Sequence, residues 1–317
     1  MPEERRELRA VERKYRKLER RTKWEKQKSV LPFVLVLVLL TAGLIALLLW
    51  FSRKPADPMP ASKLDVFVLD AGQGDAILLH SEGHFALLDS GDTDGGSRLV
   101  QRLHAMGVRQ LDFAVISHPH SDHMGGMAQV LAEFGAQRLY QPEIPAELLP
   151  TVYSYEHLLK TAQEHNIPVT VPHCGDTLTL GAAAVQFLSV ENSAFEDLND
   201  CSLGCLVTCG SHRFLFCGDL EKAGESAMLS AGLIPRVSVL KLSHHGSASS
   251  TSEAFLAAAS PQIAVISVGA MNDYGHPAEQ TLARLKAAGT AVYRTDLSGT
   301  LRLATDGEQL IVQTNAE

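Results

Sequence analysis

The sequence predicts an αββα sandwich preceded by one transmembrane helix, and three observations lead there. Beyond residue 63, short apolar runs punctuated by Gly and Asp come in two batches, with amphipathic helical stretches between and after them. Two sheets face to face, with helices outside, is the layering that buries such a set. Before them lies "VLPFVLVLVLLTAGLIALLLWF", Val30 to Phe51, without a single charge, close to the ~20 apolar residues that span hydrocarbon. No internal repeat or low-complexity tract points to another architecture.

Charge is segregated around that stretch. Residues 1–29 hold 12 Lys/Arg against 6 Glu, about +6, so the chain's −8 leaves about −14 for the remainder. Glu interleaved with Lys and Arg in "ERRELRAVERKYRKLERRTKWEKQK" suits an exposed basic helix with i,i+4 pairs; contact with anionic lipid or nucleic acid is the alternative use. Trp50 and Phe51 stand at one edge of the apolar stretch, as interfacial aromatics do. The heavier basic flank precedes it, which places the N-terminus in the cytoplasm and the rest outside the cell membrane. A cleaved signal peptide, with "MPAS" (59–62) as its site, is the rival reading, but a signal's apolar region is shorter, ~7–15 residues. The expected organisation is therefore a basic cytoplasmic segment over 1–29, a single-pass anchor over 30–51, a proline-stiffened linker over 52–62 and an extracytoplasmic domain over 63–317.

Within the domain, "KLDVFVLD" (63–70), "AILLH" (76–80) and "HFALLDSG" (84–91) read as strands, turned at "GQG" (72–74) and "SEGH" (81–84). "GSRLVQRLHAMGV" (96–108) has helical periodicity ending at Gly107, "LDFAVISH" (111–118) is a buried strand, and "MGGMAQVLAEFGA" (124–136) is a helix. "RLYQPE" (138–143), a helix around "YSYEHLLKTAQEHN" (153–166) and "PVTVPH" (168–173) follow. Strands are expected at "DTLTL" (176–180), "AAVQFLSV" (183–190), "CLVTCG" (205–210), "RFLFCGD" (213–219), "SVLKLSHHG" (238–246) and "IAVISVG" (263–269). "TSEAFLAAA" (251–259) and "PAEQTLARLKAAG" (277–289) read as helices, with "AVYRTD" (291–296) and "TLRLAT" (300–305) as closing strands. Cys205, Cys209 and Cys217 fall in strand runs as small buried hydrophobes, and five cysteines without a CxxC pair do not form a disulfide framework.

The stretch "ISHPHSDHMGG" (116–126) puts three histidines and an aspartate into six positions. His118 and His120 are two apart just past a strand, so in extended chain both imidazoles point the same way and can reach one metal ion. Asp122 and His123 come once the chain turns toward the next helix and face a second position a few ångströms away. Gly125 and Gly126 let the backbone pass close to it. This density of ligands on a short loop is that of a binuclear metal site.

"HPHSDH" resembles the HxHxDH signature of the metallo-β-lactamase superfamily, whose fold is the αββα sandwich. "VLDAGQGDAILL" (68–79), "LLDSG" (87–91), "LDFAVISHPHSDHMGG" (111–126), "FLFCGDL" (214–220), "LKLSHHGS" (240–247) and "YGHP" (274–277) occur in that order. Over about residues 64–305 the set is similar to the extracytoplasmic hydrolase domain of ComEC/Rec2 DNA-internalisation proteins, without their many-spanning channel domain. The resemblance implies two divalent ions, Zn²⁺ first and Mn²⁺ second, held by His118, His120, Asp122, His123, Asp219 and one of His244 and His245. His244 is the favoured ligand, and His245 then contacts substrate or donates a proton. Asp219 matches the bridging carboxylate, the alternative being a helix N-cap before "LEKAGESAML". Asp89 matches a carboxylate that orients the ligand loop, the alternative being a turn Asp; Asp92 and Asp94 read as loop carboxylates. Many superfamily members add a third histidine to the first metal. Here the corresponding stretch offers His173 and Asn199, so Asn199, His276 or the second of the histidine pair would complete the shell.

The activity implied is a metal-dependent phosphodiesterase or nuclease, with Asp122 orienting an attacking water whose pKa the ions lower from ~16 toward ~7. Its partners would be the membrane, through the N-terminal helix, and nucleic acid or another phosphodiester, with a role in DNA uptake or processing. A domain near −14 lacks the Lys/Arg excess that backbone binding uses, and Arg98, Arg102, Arg109, Lys241, Arg284 and Arg294 are scattered in sequence. The alternatives are hydrolysis of another ester (a choline-phosphate ester, a lactone or a β-lactam) and a non-catalytic module that binds DNA or a partner.

Overall fold

The computed structural model describes residues 13–21, 24, 41, 61–190 and 195–316. The chain divides into two compact units, Met1–Met59 and Pro60–Glu317. In the first, residues 13–21 are helical and exposed. The expected membrane span over 30–51 lies, Thr41 apart, outside the described residues, as does most of the linker. Among the described residues no helix is long and apolar enough to cross a membrane.

The second unit holds two sheets. The first runs, in spatial order, β15 (Leu310–Thr314), β14 (Leu301–Thr305), β1 (Leu64–Val68), β2 (Ile77–Ser81), β3 (His84–Leu88), β4 (Phe113–Val115), β5 (Leu139–Tyr140) and β6 (Val169–Thr170). The second runs β13 (Ala291–Arg294), β12 (Ile263–Ile266), β11 (Val239–Lys241), β10 (His212–Phe216), β9 (Gly204–Cys209), β8 (Ala183–Leu188) and β7 (Thr177–Leu180). Three apolar clusters show how they stack. Leu64, Val66 and Val68 of β1 meet Cys205 and Val207 of β9 and Phe214 and Phe216 of β10 between the sheets. The alternate residues, Leu78, Leu87 and Ala114 among them, face the helices Gly96–Ala105, Met127–Phe134 and Tyr153–Glu164. Leu215, Leu240 and Ala264 face the helices Lys222–Ser230, Glu253–Ala259 and Glu279–Ala287. The two-residue alternation of a strand thus feeds two interfaces at once, and the αββα sandwich follows.

Three local expectations change. The helix expected from residue 124 is split into a turn, Ser121–Met124, and a helix, Met127–Phe134, because Gly125 and Gly126 pack against the backbone of 90–93, where a Cβ at Gly125 would sit 2.3 Å from Thr93 N. "AVYRTD" leaves the sheet after Arg294, as Thr295–Ser298 coils and Thr295 Oγ1 bonds Val268. β15 was not foreseen: as an edge strand it is only half-buried, so its apolar pattern is weak.

Parallel pairing runs from β3 through β6 and from β10 through β13. Loops leaving the C-terminal ends of parallel strands are where such folds place sites, and those of β3, β4, β10, β11 and β12 carry Asp89, His118–His123, Asp219, His244–His245 and His276. All five cysteines are free, four buried and Cys174 exposed. Burial pushes the Cys201 thiol up to about 11 and that of Cys217 to about 12. Native protein is therefore expected to give one thiol to Ellman's reagent at pH 8 and five after unfolding; several fast-reacting native thiols would contradict this packing.

Candidate metal centre

The ligand loop is held by its neighbours before any ion is considered. Asp89, at the end of β3, accepts from Ser117 N and Ser117 Oγ at 2.6 Å each and from His123 Nδ1 at 2.8 Å. His123 O accepts from Ser90 N at 2.7 Å, and Asp122 O from Asp75 N at 3.1 Å. Asp89, His244 and His245 all sit in the left-handed region, at φ 58°, 50° and 51°. Such strain costs about 1–3 kcal/mol per residue and persists where the surroundings over-determine it. Asp219 does not cap the following helix, whose N-cap is Glu221; its side chain turns into the cleft instead.

Asp122, His123, Asp219 and His245 bring one ligand atom each to within 4.8 Å of one another. Asp219 Oδ1 lies 3.1 Å from His123 Nε2, and Asp219 Oδ2 lies 3.5 Å from His245 Nε2. His245 Nε2 is 3.2 Å from Asp122 Oδ2. Beside this group His118 and His120 form a pair, Nε2 to Nδ1 at 3.0 Å, and the His118 ring is 4.2 Å from that of His123. Two imidazoles on one tetrahedral Zn²⁺ at ~2.0–2.1 Å stand ~3.3 Å apart, so the pair is close to the spacing one ion requires. The other ring nitrogens are already engaged. His123 Nδ1 donates to Asp89, His245 Nδ1 to Ser267 O at 3.0 Å, and His118 Nδ1 faces Ser117 Oγ at 3.1 Å. Partners of this kind fix the tautomer and aim Nε2 inward.

The electrostatics fit cations. Burial opposes charge on His123 and His245, yet Asp219, with Asp89 and Asp122, holds both pKa values above the usual histidine range. Burial would raise Asp219, but His123 and His245 keep its carboxyl well below the usual range. Burial and the neighbouring His123 leave the His118 imidazole neutral, as a ligand must be. The buried Nε2 of His123 and Oδ1 of Asp219 nevertheless lack hydrogen-bond partners, and buried polar atoms seldom stay so. These residues are positioned to bind metal ions.

The structure draws His245 into the four-residue group where His244 was expected. His244 stands at its edge, Nδ1 bonded to Glu221 Oε1 at 2.7 Å and Nε2 3.9 Å from Asp219 Oδ2. His276 lies over the pair, its ring 5.4 Å from that of His244 and 6.5 Å from that of His245. Asn199 is buried in the turn that Ser202 ties to Asp219 N, and its Oδ1 has no hydrogen-bond partner. His173 is exposed, its backbone N donating to Asp176 Oδ2 and its backbone O accepting from Asp176 N; Asp92 caps a short turn.

Sequence reasoning missed three residues. Lys241, fully buried, forms an ion pair with Asp75 beneath the site. Asp75 also lies 3.6 Å from His245 Nδ1 and 3.8 Å from His123 Nδ1. Glu221 holds His244. The available signal was a lysine inside the apolar run "SVLKLS", since Lys is almost never buried unpaired. Gly74 (φ 125°) is a fourth constraint, because a Cβ there would sit 2.3 Å from Asp122 O. Gly74→Ala is expected to displace Asp122 and lower hydrolysis roughly 10²-fold with the fold intact by circular dichroism; near-normal turnover would show that the Asp122 backbone can move freely.

The profile of the metallo-beta-lactamase superfamily matches residues 69–270, and the chain belongs to that superfamily. ComE operon protein 3 of Bacillus subtilis (strain 168) is 30% identical over 264 residues, 77% of this chain and 33% of that one. Competence protein ComA of Neisseria gonorrhoeae is 34% identical over 271 residues, 84% of this chain and 35% of that one. The chain thus spans about a third of the length of these curated relatives. Among solved structures, the metallo-beta-lactamase fold protein YhfI from Bacillus subtilis superposes with a TM-score of 0.52 at 13% identity, covering 75% of this chain and 99% of that one, a likeness of fold alone. The chain is a superfamily hydrolase related to the ComEC-type competence proteins.

Proposed function

We propose that the protein is a membrane-anchored, two-metal phosphodiesterase that cleaves nucleic acid outside the membrane, in DNA uptake or processing. The carrying observation is the pair of adjacent ligand sets, His118 with His120 and Asp122, His123 and His245, with Asp219 directing separate oxygens at His123 and His245. Two divalent ions there, zinc suiting the His/Asp shell best and manganese next, would supply a nucleophile at neutral pH and neutralise phosphoryl charge. Asp122 is a third exposed at the mouth, and its hydrogen bond from His245 and the charge of His123 offset burial and keep it ionised. Its other oxygen would therefore orient an attacking water, whose pKa bound ions would lower. His244, held by Glu221 and a quarter exposed, would protonate the leaving oxygen, the part first read for His245.

Positive charge from protein is sparse. Lys241 is buried, and Arg294 is spent on Asp296 at 2.6 Å. Arg98 and Arg102 share one helix beside a groove of about 680 Å³ that Asp70 and Asp92 also line. An acidic domain suits a smaller ester equally well, so the test includes one. The full-length protein, purified in mild detergent, would be assayed for metal and then for hydrolysis of bis(p-nitrophenyl) phosphate, single-stranded DNA and nitrocefin, beside Asp122→Ala and His120→Ala. The expected result is about two metals per chain and phosphodiester cleavage lost in both variants. Bound metal without phosphodiester turnover would transfer the reading to another ester or lactone, and absence of metal would remove the mechanism.

A further inference from the structure

We infer that Tyr274 is a stacking platform for a nucleobase next to the scissile phosphodiester, an inference that rests on the nucleic-acid reading above. Residues 267–278 leave the C-terminal end of β12 and border the metal centre through His276. The loop is pinned rather than loose. Asn272 Nδ2 donates to Gly269 O at 3.0 Å and to His276 O at 2.7 Å, while Asn272 Oδ1 accepts from His276 N at 3.0 Å. Gly269 N donates to Gln73 Oε1 at 3.1 Å, and Ala278 N to Gly246 O at 2.9 Å, tying the loop's two ends to the turns that carry Asp75 and His245.

On this frame two large apolar side chains face solvent. Tyr274 is 72% exposed and Met271 98% exposed, the latter held outward at φ 56°. Neither buries enough surface to account for its place by packing. The Tyr274 ring lies 24° from parallel to His276 at 5.8 Å, and His276 lies 28° from parallel to His245 at 6.5 Å. The three rings form one staircase that starts in the metal group and ends in an open aromatic face. A base on that face would continue it, with its own phosphate directed back toward the cluster.

The charge pattern makes such a platform the fitting device. Single-strand binders combine a basic groove with aromatic stacking, and a domain near −14 with a buried Lys241 supplies little of the first. Stacking is tolerant of base identity, because every base has a π-face, so cleavage is expected to discriminate poorly by sequence and strongly against strands without bases.

The test uses full-length protein in mild detergent, loaded with Mn²⁺ or Zn²⁺, and two single-stranded oligonucleotides, one natural and one abasic beside the cleavage position. Tyr274→Ala is expected to raise KM for the natural strand about tenfold, the size of one base–aromatic stack, and to lower kcat far less. Tyr274→Phe should restore the KM. The abasic strand should cost the wild type a similar factor and the Tyr274→Ala protein little more, since both lose the same contact. Equal KM values for wild type and Tyr274→Ala on the natural strand would overturn the platform while leaving the nuclease intact, as would equal penalties from the abasic strand in both proteins. A metal-loaded wild type that cleaves neither strand would overturn the nuclease reading and the platform with it.

Discussion

Asp219→Ala is expected to remove bound metal and to lower phosphodiester hydrolysis at least ~10²–10³-fold, the loss typical of removing a central electrostatic element from a closed site. Its two oxygens are the only carboxylate atoms among the described residues within 4 Å of His123, His245 and His244 together. The backbone should hold, because Asp219 N is secured by Ser202 Oγ at 3.2 Å. The pH dependence of the metal-free protein gives a second readout. Asp219 is depressed by His123 and His245, so its share of stability is present above the unfolded carboxyl value of ~3.9 and is lost as pH falls through the folded value. His123 and His245 are raised, so theirs is present below ~6.5 and is lost as pH rises through their folded values. In EDTA the wild type should therefore exceed Asp219→Ala in denaturant midpoint most clearly between about pH 4 and 6.5, with the gap closing toward pH 9. Metal binding must run the other way, since it needs neutral imidazoles and releases their protons. A gap that widened toward pH 9 without metal would mean that the histidines are not charged partners of Asp219.

How much of this was readable from sequence depended on whether the residues that act together also lie together. His118 to His123 are contiguous, and a ligand loop six residues long declares itself. Asp89 and Asp219 were legible because each ends an apolar strand, where the chain must emerge at the sheet's edge. Between His244 and His245 the sequence favoured His244, whereas the structure brings His245 into the four-residue group. Strand alternation held the signal, since Val239 and Lys241 face the space between the sheets and the same period carried onward turns His245 inward. Two consecutive left-handed residues then rotate His244 toward Glu221, and nothing in "SHHG" announces a turn that strained. The layers were legible because every central strand alternates, whereas β15 was lost at an edge that buries little. The anchor and its topology rest on residues 1–51 alone and stand as part of the proposal.

Lys241→Met is expected to destabilise the metal-free protein by about 3–5 kcal/mol, the loss found when one partner of a buried ion pair is removed. Lys241 is the last residue of β11, a central strand of the second sheet, and Asp75 belongs to the turn between β1 and β2 of the first, so the pair bridges the two sheets under the metal site. Burial disfavours the charged amine, but Asp75 and then Asp219 raise its pKa. With methionine there, the Asp75 carboxylate would remain buried beside His123, His245 and the like-charged Asp89, and its Oδ1 already lacks a hydrogen-bond partner. Removing both charges separates structure from function. Lys241→Met with Asp75→Leu leaves no orphaned carboxylate, and apolar replacement of a buried pair is often neutral or better, so most of the lost denaturant midpoint should return. Activity should not return, because Asp75 Oδ1 lies 3.6 Å from His245 Nδ1, and the negative charge beside the site histidines is gone. A single variant within 1 kcal/mol of wild type would mean that water reaches Asp75. A double variant with full hydrolysis would mean that the pair serves the sandwich alone, and its place beneath the cluster would then be only a consequence of where the two sheets meet.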